Sequence, residues 1–155
     1  MKPPRPHASH LRRGRFSECG RVYLITTVIH QRQTPFQELP LARLAIQELQ
    51  ACDASADCQT LAFVLMPDHL HWLLTLHRGD LSALVRRFKS NSARRINTFR
   101  GSTGPLWQAG FHDHTPRQED DLRRLARYVV ANPLRSGLVE SIGDYPHWDA
   151  LWLTT

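Results

Sequence analysis

Three residues combine a reactive side chain with a spacing that could support chemistry, namely His69, His71 and Tyr128. His69 and His71 are two positions apart in an apolar segment, so both side chains lie on the same face if the segment is a β-strand. Two imidazoles on one face can converge on a cation and leave coordination positions open for water or a substrate oxygen. The alternative is a pair of solvent-facing or hydrogen-bonded histidines on a half-exposed strand, because short motifs also occur by chance.

The segment that carries the two histidines, residues 61–76, consists of two apolar runs on either side of Pro67-Asp68. A proline-containing turn between runs of strand length predicts an antiparallel hairpin. With Met66 opposite His69, Val64 lies beside the histidines and the other face is core, because side chains alternate along a strand. The predicted core face consists of Leu61, Phe63, Leu65, Leu70, Trp72, Leu74 and Leu76.

A helix is predicted to begin at Thr115. Thr115, Pro116 and Gln118 have the spacing of a helix cap, a first-turn proline and a capping-box partner. Pro133 predicts that the helix ends at Asn132, because the residue before a proline is biased away from the α conformation. The inward stripe of this helix is Leu122, Leu125, Ala126, Val129 and Val130.

On a helical wheel Tyr128 lies off that stripe, in one column with Arg124 and Asn132 at four-residue spacing. Core packing therefore does not explain Tyr128, although a tyrosine half-buried beside the stripe is an ordinary alternative. A tyrosine hydroxyl is a weak nucleophile at its free pKa of about 10, so a catalytic role would require activation.

The earlier elements are predicted from their hydrophobic periods. Residues 21–31 are rich in β-branched side chains and predict a first strand, and residues 38–52 predict a helix that packs on the core. A second helix is predicted to begin at Leu81, with Asp80 as its cap. The inward stripe of this second helix is Leu81, Leu84, Val85, Phe88, Ile96 and Phe99.

Residues 106–115 predict a further strand, on which His112 and His114 share one face. These histidines either line the same cleft as the first pair or lie exposed at the edge of a sheet. The element order is then strand, helix, strand, strand, helix, strand and a last helix that bears Tyr128. This order predicts the α+β class, with a ferredoxin-like βαββαβ antiparallel sheet and an appended C-terminal helix.

The composition is that of one globular domain, since 155 residues can bury a core of their own. No apolar stretch reaches spanning length and no apolar segment follows the basic N-terminus, so we expect no membrane helix, no secretory signal and a cytoplasmic location. Three cysteines without Cys-x-x-Cys spacing argue against a disulfide framework and a zinc knuckle. We expect residues 1–20 to form a basic arm and residues 21–155 to form a single domain.

The formal charge of +6, with arginine at 18 of the 20 basic positions, favours a polyanionic partner. A GC-rich genome would produce the same arginine bias without functional meaning. The second helix carries six basic and no acidic residues between Arg86 and Arg100, which favours contact with nucleic acid over an ordinary solvated face. The candidate contacts in this helix and the last one are Arg86, Arg87, Lys89, Arg94 and Arg124.

Several motifs carry a family resemblance. His69-Leu70-His71 resembles the histidine-hydrophobic-histidine motif of HUH nucleases. Residues 128–139, Tyr-Val-Val-Ala-Asn-Pro-Leu-Arg-Ser-Gly-Leu-Val, resemble a block of the REP-associated tyrosine transposases, which are single-tyrosine HUH nucleases of the IS200-like family. The resemblance runs in the right order from about Arg12 to Trp148. Further matches are Met66-Pro67-Asp68-His69, Leu106-Trp107-Gln108, Gly110-Phe111-His112-Asp113-His114 and Tyr145-Pro146.

The resemblance implies a metal-dependent endonuclease that cuts and rejoins single-stranded DNA near palindromic hairpins without ATP. It makes Tyr128 the nucleophile, which forms a 5′-phosphotyrosine intermediate. It makes His69 and His71 ligands of a divalent metal, Mg²⁺ or Mn²⁺, that neutralises charge on the phosphate. Asn132 stands where mobile relatives usually carry a glutamine, and the resemblance makes it the third metal ligand.

The resemblance also implies a partner, single-stranded DNA with a hairpin, bound by a monomer or a homodimer. Arg12 and Arg13 are similar to the amino-terminal arginine pair that engages the foot of the hairpin. Two other classes stay open at this point: a non-catalytic ferredoxin-like module that binds nucleic acid, and a metal hydrolase that activates water and leaves Tyr128 structural. The first class is disfavoured because the chain lacks the aromatic pattern by which RNA-binding sheets stack bases.

Overall fold

The computed structural model describes residues 17–116 and 119–151 of the chain. The strands are β1 (Val22–Val28), β2 (Cys58–Met66), β3 (His69–Leu76), β4 (His112–His114) and β5 (Trp148–Ala150). The helices are α1 (Leu39–Ala54), α2 (Leu81–Arg100), α3 (Glu119–Val130) and the short α4 (Asn132–Arg135), with single 3-10 turns at His30–Arg32, Pro35–Gln37 and Ile142–Asp144. The α+β class and the predicted order of elements up to α3 are confirmed.

The five strands form one sheet in the order β4-β1-β3-β2-β5, and every neighbouring pair is antiparallel. β3 is the central strand and pairs along its length with β1 on one side and β2 on the other. Backbone hydrogen bonds on both edges fix which face each of its side chains occupies. The two predicted metal ligands are therefore placed by the most constrained strand of the sheet.

The predicted hairpin of β2 and β3 is confirmed, with Met66 opposite His69 and Val64 opposite His71. The prediction for Leu61 is wrong. The pairing shifts at a β-bulge between residues 60 and 62, and an extra residue in one strand exchanges the faces beyond it. The Leu61 side chain therefore packs in the apolar cluster on the histidine face.

Apolar side chains cover both faces of the sheet. On one face α1 and α2 enclose a core that includes Ile25, Trp72 and Phe88, all almost fully buried. On the other face α3 packs Ala126 and Val130 in the same cluster as Leu73. The histidines of β3 lie on this second face, beside α3. Among the described helices, none is long and apolar enough to cross a membrane.

α2 begins as predicted after Asp80, whose carboxylate accepts a hydrogen bond from the amide of Ala83. The predicted inward position of Phe99 is wrong, because this side chain is 62% exposed. The last buried residue of the stripe is Ile96, and the final turn contacts the following loop through the Asn97 side chain instead of the sheet.

The predicted strand over residues 106–115 is confirmed only in part. Trp107 forms an isolated bridge with Ile29, and regular pairing with β1 starts at His112. Between these positions Gly110 has a φ of 78°, in the left-handed region that favours glycine, so the backbone leaves the extended conformation. A bent connection therefore precedes the three residues of β4.

The helix that carries Tyr128 is confirmed from Glu119, whereas Gln118 of the predicted capping box lies outside the described residues. α3 ends at Val130, two residues earlier than predicted, and the chain continues as α4 with Pro133 in its first turn. Proline lacks a backbone N–H, so it interrupts a continuing helix but suits the first turn of a new one.

The C-terminal segment docks on the sheet, where β5 pairs with the outer edge of β2. Tyr145 is 9% exposed and donates a hydrogen bond to the backbone carbonyl of Leu65. Burial, together with the nearby charge of Asp68, raises the pKa of Tyr145 to about 12. This phenol is therefore a protonated hydrogen-bond donor at neutral pH.

Tyr145→Phe should lower the free energy of unfolding by roughly 1–3 kcal/mol, because it leaves a buried carbonyl without this donor. The matched control is Tyr128→Phe, which removes the same atom from a tyrosine that is 60% exposed. The control should change stability by less than about 0.5 kcal/mol. Urea denaturation followed by circular dichroism measures both variants, and equal effects would contradict the docking role of Tyr145.

Candidate active site

The two predicted metal ligands are neighbours on the α3 face of the central strand. The rings of His69 and His71 meet edge to face, with centroids 4.8 Å apart. The strands on either side place Thr26 and Val64 opposite His71, and both histidines are partly buried. The register of the sheet thus brings the two imidazoles together without any further adjustment of the backbone.

Each imidazole has one nitrogen in contact with an oxygen of a neighbouring side chain. Nδ1 of His69 lies 2.7 Å from Oδ1 of Asp68, and Nδ1 of His71 lies 2.9 Å from Oγ1 of Thr26. Contacts of this kind orient the ring and leave Nε2 as the nitrogen that can face a cation. Two neighbouring imidazoles with their Nδ1 atoms already engaged fit a divalent metal site.

Asp68 supports His69 and is itself held by a cation. Its Oδ2 accepts a hydrogen bond of 2.9 Å from Nε of Arg32. Burial alone would raise the pKa of Asp68, but the hydrogen bond with His69 and the charges of His69 and Arg32 lower it below its ordinary value. The carboxylate therefore stays ionised and favours a proton on Nδ1 of His69.

Burial, followed by the charges of His69 and Arg135, lowers the pKa of His71 to about 4. His71 is therefore neutral at physiological pH, which is the form of histidine that binds a metal. The positive charge of Arg135 makes the smallest contribution to this lowering.

Within the described part of the chain, no third histidine, cysteine, aspartate or glutamate completes a group with the two histidines that could hold a metal ion. Asn132, the predicted third ligand, is a half-buried residue at the start of α4, a short helix that contacts β2. An amide oxygen is a donor of the type that Mg²⁺ and Mn²⁺ accept. The assignment of Asn132 stays a prediction.

Tyr128 is 60% exposed, as expected from its position off the inward stripe of α3. The guanidinium of Arg135 stacks on its ring, with Cζ 3.7 Å from the ring centroid, and donates a hydrogen bond to the Tyr128 carbonyl. The charge of the same guanidinium contributes to the low pKa of His71.

Arg135 belongs to the block of residues 128–139 that resembles the family, but its role was not predicted from the sequence. The signal that could have identified it is its spacing of seven residues from Tyr128, two helical turns, which places two residues on the same side of a helix. The break between α3 and α4 at Ala131 conceals that relation in the sequence.

A cleft of about 610 Å³ lies between the end of β4 and α3, lined in part by His114, Arg124 and Tyr128. The predicted column of Arg124 and Tyr128 thus faces one cavity. Opposite residues of paired strands share a face, so the pairing of His112 with Thr26 puts the second histidine pair on the face of the first. Both residues of this second pair are also exposed at the sheet edge.

The other predicted DNA contacts have different surroundings. Arg86 and Arg94 are exposed on α2. Arg87 forms an ion pair of 2.8 Å with Asp57, and the ammonium group of Lys89 donates to two backbone carbonyls. Arg12 and Arg13 lie outside the described residues.

Comparison with known families gives a match to the family described as "Transposase IS200 like", over residues 21–132. The matched region begins just before β1 and reaches the first residue of α4. It contains His69, His71, Tyr128 and Asn132, and it covers most of the chain.

Two relatives and one solved structure show the same relationship. A Haemophilus influenzae protein provisionally named a REP-associated tyrosine transposase is 26% identical over 139 residues, which are 83% of this chain and 78% of the relative. The REP-associated tyrosine transposase of Escherichia coli K12 is 31% identical over 87 residues, 55% of this chain and 50% of the relative. The fold is similar to the solved structure of a REP-associated tyrosine transposase bound to a REP hairpin, with a TM-score of 0.72, 22% identity, and coverage of 96% of this chain and 82% of that one.

The pKa of His71 leads to a prediction about acid stability. Since the folded pKa is about 4 and an unfolded histidine has a pKa of about 6.5, the unfolded state binds a proton first as the pH falls. The free energy of unfolding should therefore decrease between about pH 6.5 and pH 4. His71→Gln should reduce this decrease, measured by urea denaturation across the range. An NMR titration should also give the His71 ring a midpoint near 4, and a midpoint near 6.5 would contradict the burial of this ring.

Proposed function

Because the chain belongs to the family described as Transposase IS200 like, which it matches over residues 21–132, we propose that it is a metal-dependent endonuclease and strand transferase for single-stranded DNA. Its substrate is a strand that folds into palindromic hairpins, and its intermediate is a 5′-phosphotyrosine. The solved relative of similar fold is bound to a REP hairpin, which supports this class of partner.

The observation that carries the proposal is the environment of the three tyrosines of the chain. Tyr23 is 4% exposed in the core beneath α1 and α2. Tyr145 is 9% exposed and donates its hydroxyl to a backbone carbonyl. Tyr128 has an exposed ring that lies beside the guanidinium of Arg135, so it is the tyrosine available to attack a phosphate.

In the proposed reaction the Tyr128 oxygen forms a bond to phosphorus while the bond from phosphorus to the 3′ oxygen breaks. The tyrosine hydroxyl loses its proton, and the leaving oxygen gains one and becomes a free 3′-hydroxyl. The 5′-phosphate stays on the tyrosine, which conserves the energy of the broken bond. Attack by a second 3′-hydroxyl reverses the step and joins strands without ATP.

His69 and His71 would hold the divalent cation, Mg²⁺ or Mn²⁺, with the amide oxygen of Asn132 as the proposed third donor. When bound, this cation would polarise the scissile phosphate and offset its charge. Asp68 and Thr26 keep the two imidazoles oriented for that purpose. The chemistry of the donors fits the requirement, since both imidazoles have their Nδ1 atoms engaged elsewhere.

Two arginines are placed to receive phosphate groups around the tyrosine. Arg124 lines the cleft of about 610 Å³ that also contains Tyr128. Arg135 stacks on the Tyr128 ring, and its planar fork can hold the ring and bind a phosphate oxygen at the same time. Arg12 and Arg13 are proposed to contact the foot of the hairpin, as part of an arm over residues 1–20.

The active site is proposed to form within one chain, in a monomer or in each half of a homodimer. In support of this, Arg135 contacts Tyr128, and its charge contributes to the low pKa of His71 in the same chain. Residues 21–155 are proposed to act as a single domain, and the genomic DNA substrate implies action in the cytoplasm.

Tyr128→Phe should abolish cleavage of a hairpin DNA in the presence of Mn²⁺ or Mg²⁺ while hairpin affinity is retained, because phenylalanine has no oxygen to attack phosphorus. The wild-type protein should give a denaturant-resistant adduct with the DNA that peptide mass mapping assigns to Tyr128. Tyr145→Phe is the control and should still form the adduct. Cleavage by Tyr128→Phe at a comparable rate would favour a metal hydrolase that activates water, and binding without cleavage by the wild type would favour a non-catalytic module.

Arg135→Gln should lower the cleavage rate at saturating hairpin by about 100-fold, the scale seen when one charge-stabilising donor is removed from an active site. Arg135→Lys should recover only part of this loss, because lysine keeps the charge but cannot stack as a plane or offer a fork. Arg127→Gln, on the exposed side of α3, is the matched control and should keep the wild-type rate. Equal losses of cleavage rate in Arg135→Gln and Arg127→Gln would contradict a specific role for Arg135 and indicate a general effect of surface charge.

A further inference from the structure

A groove of about 420 Å³ lies outside the candidate active site, between α2 and the segment of residues 105–111. Its wall includes Val85, Ala93 and Pro105, and its polar lining includes Arg86, Lys89 and the backbone near Gln108. This volume is typical of sites for small flat ligands and is too small for a duplex. No acidic side chain lines the groove within the described residues.

Two of the six basic residues of α2 are paired with acids away from the groove. Arg87 and Arg95 do not line the groove, and each forms an ion pair of 2.8 Å with an acid, Asp57 and Glu48 respectively. Arg86 is exposed in the lining of the groove and has no acidic partner in the described part of the chain. Arg86 and Lys89 thus bring two positive charges to a groove that no acidic side chain lines in the described residues, which favours an anionic ligand there.

Lys89 is the second cation of the groove. Its Nζ lies 2.7 Å from the carbonyl oxygen of Gln108 and 2.7 Å from that of Gly110. An ammonium group has three donors, so two carbonyls leave one N–H for a ligand. Burial lowers the pKa of Lys89 to about 8, which means that a neighbouring negative charge would be strongly favourable.

We propose that this groove binds one unpaired nucleotide of the DNA strand, with its phosphate between Arg86 and Lys89 and its base against the apolar wall. A base has two apolar faces and a polar edge, and the groove offers an apolar wall beside backbone amide and carbonyl groups. Because the ligand is part of the same substrate, the inference rests on the proposed function.

The position of the groove suits a continuous strand. The amide of Gln108 donates a hydrogen bond of 2.8 Å to the carbonyl of Val28, and Val28 pairs with His69. The groove and the histidine pair are therefore separated by two strand spacings, about 10 Å of sheet. A DNA strand bound at the histidines would enter the groove by passing around the sheet edge formed by β4 and residues 106–108.

The chain offers an unusually selective probe, because Lys89 is one of only two lysines, the other being Lys2. Protein labelled with ¹³C at the lysine ε position gives two side-chain NMR signals, which the conservative variant Lys2→Arg assigns. Three ligands are compared: a hairpin with unpaired flanks, the same hairpin with a blunt stem, and inorganic phosphate. Only the flanked hairpin should shift the Lys89 signal and raise its pKa, by about one unit or more.

Arg86→Gln supplies an independent test with the control Arg43→Gln, an exposed arginine of α1 that does not line the groove. Arg86→Gln should remove most of the gain in affinity that the unpaired flanks provide, about tenfold or more, and Arg43→Gln should preserve that gain. If the hairpin binds and is cut while the Lys89 signal stays unchanged, the nucleotide site in the groove is wrong but the proposed function is not. Equal responses to the flanked hairpin and to phosphate would also overturn the nucleotide site, in favour of a bare anion site. Failure of the protein to bind any hairpin would instead overturn the proposed function.

Discussion

The pairing of β3 with both of its neighbours is the constraint on which the candidate site depends. Alternation along this strand puts Leu70 and Trp72 into the core beneath α1 and α2, and His69 and His71 on the other face. A slip by one residue would bury two imidazoles and expose a tryptophan, whose burial alone contributes about 1.5–3 kcal/mol or more. The face on which the two histidines lie is therefore determined by the hydrophobic core.

The parts of the fold that follow from local periodicity could be predicted from the sequence. The hairpin register was predictable because the turn at Pro67-Asp68 is symmetric, so the hydrophobic pattern of each strand agreed with that of the other. The bulge that puts Leu61 on the other face of the sheet could not be predicted, because a single inserted residue leaves no periodic signal. The bend at Gly110 was missed for a related reason: one residue with a positive φ interrupted a run that otherwise alternates like a strand.

The residues of the candidate site also fall into those that could be predicted from the sequence and those that could not. The histidine pair and Tyr128 could be found from spacing, because each belongs to one strand or one helix. The partners that orient them could not, since Thr26 is 45 residues away from His71 along the chain and meets it only through strand pairing. The contact of Arg135 with Tyr128 could not be predicted, because the helix breaks after α3 and Pro133 lies in the first turn of a new helix. Local patterns thus identify reactive residues, and tertiary pairing determines their surroundings.

The cleft beside Tyr128 follows from where α3 stops covering the sheet. Five residues that pair across the sheet form one row, namely His112, Thr26, His71, Val64 and Trp148. The residues of this row are polar on β4, β1 and β3, and they are apolar on β2 and β5. α3 packs over the apolar half, where Ala126 and Val129 are buried, and leaves the polar half open. An apolar row would have required a covering element across its whole length, because exposed apolar surface is unfavourable in water. His71 lies at the boundary between the two halves, where burial lowers its pKa.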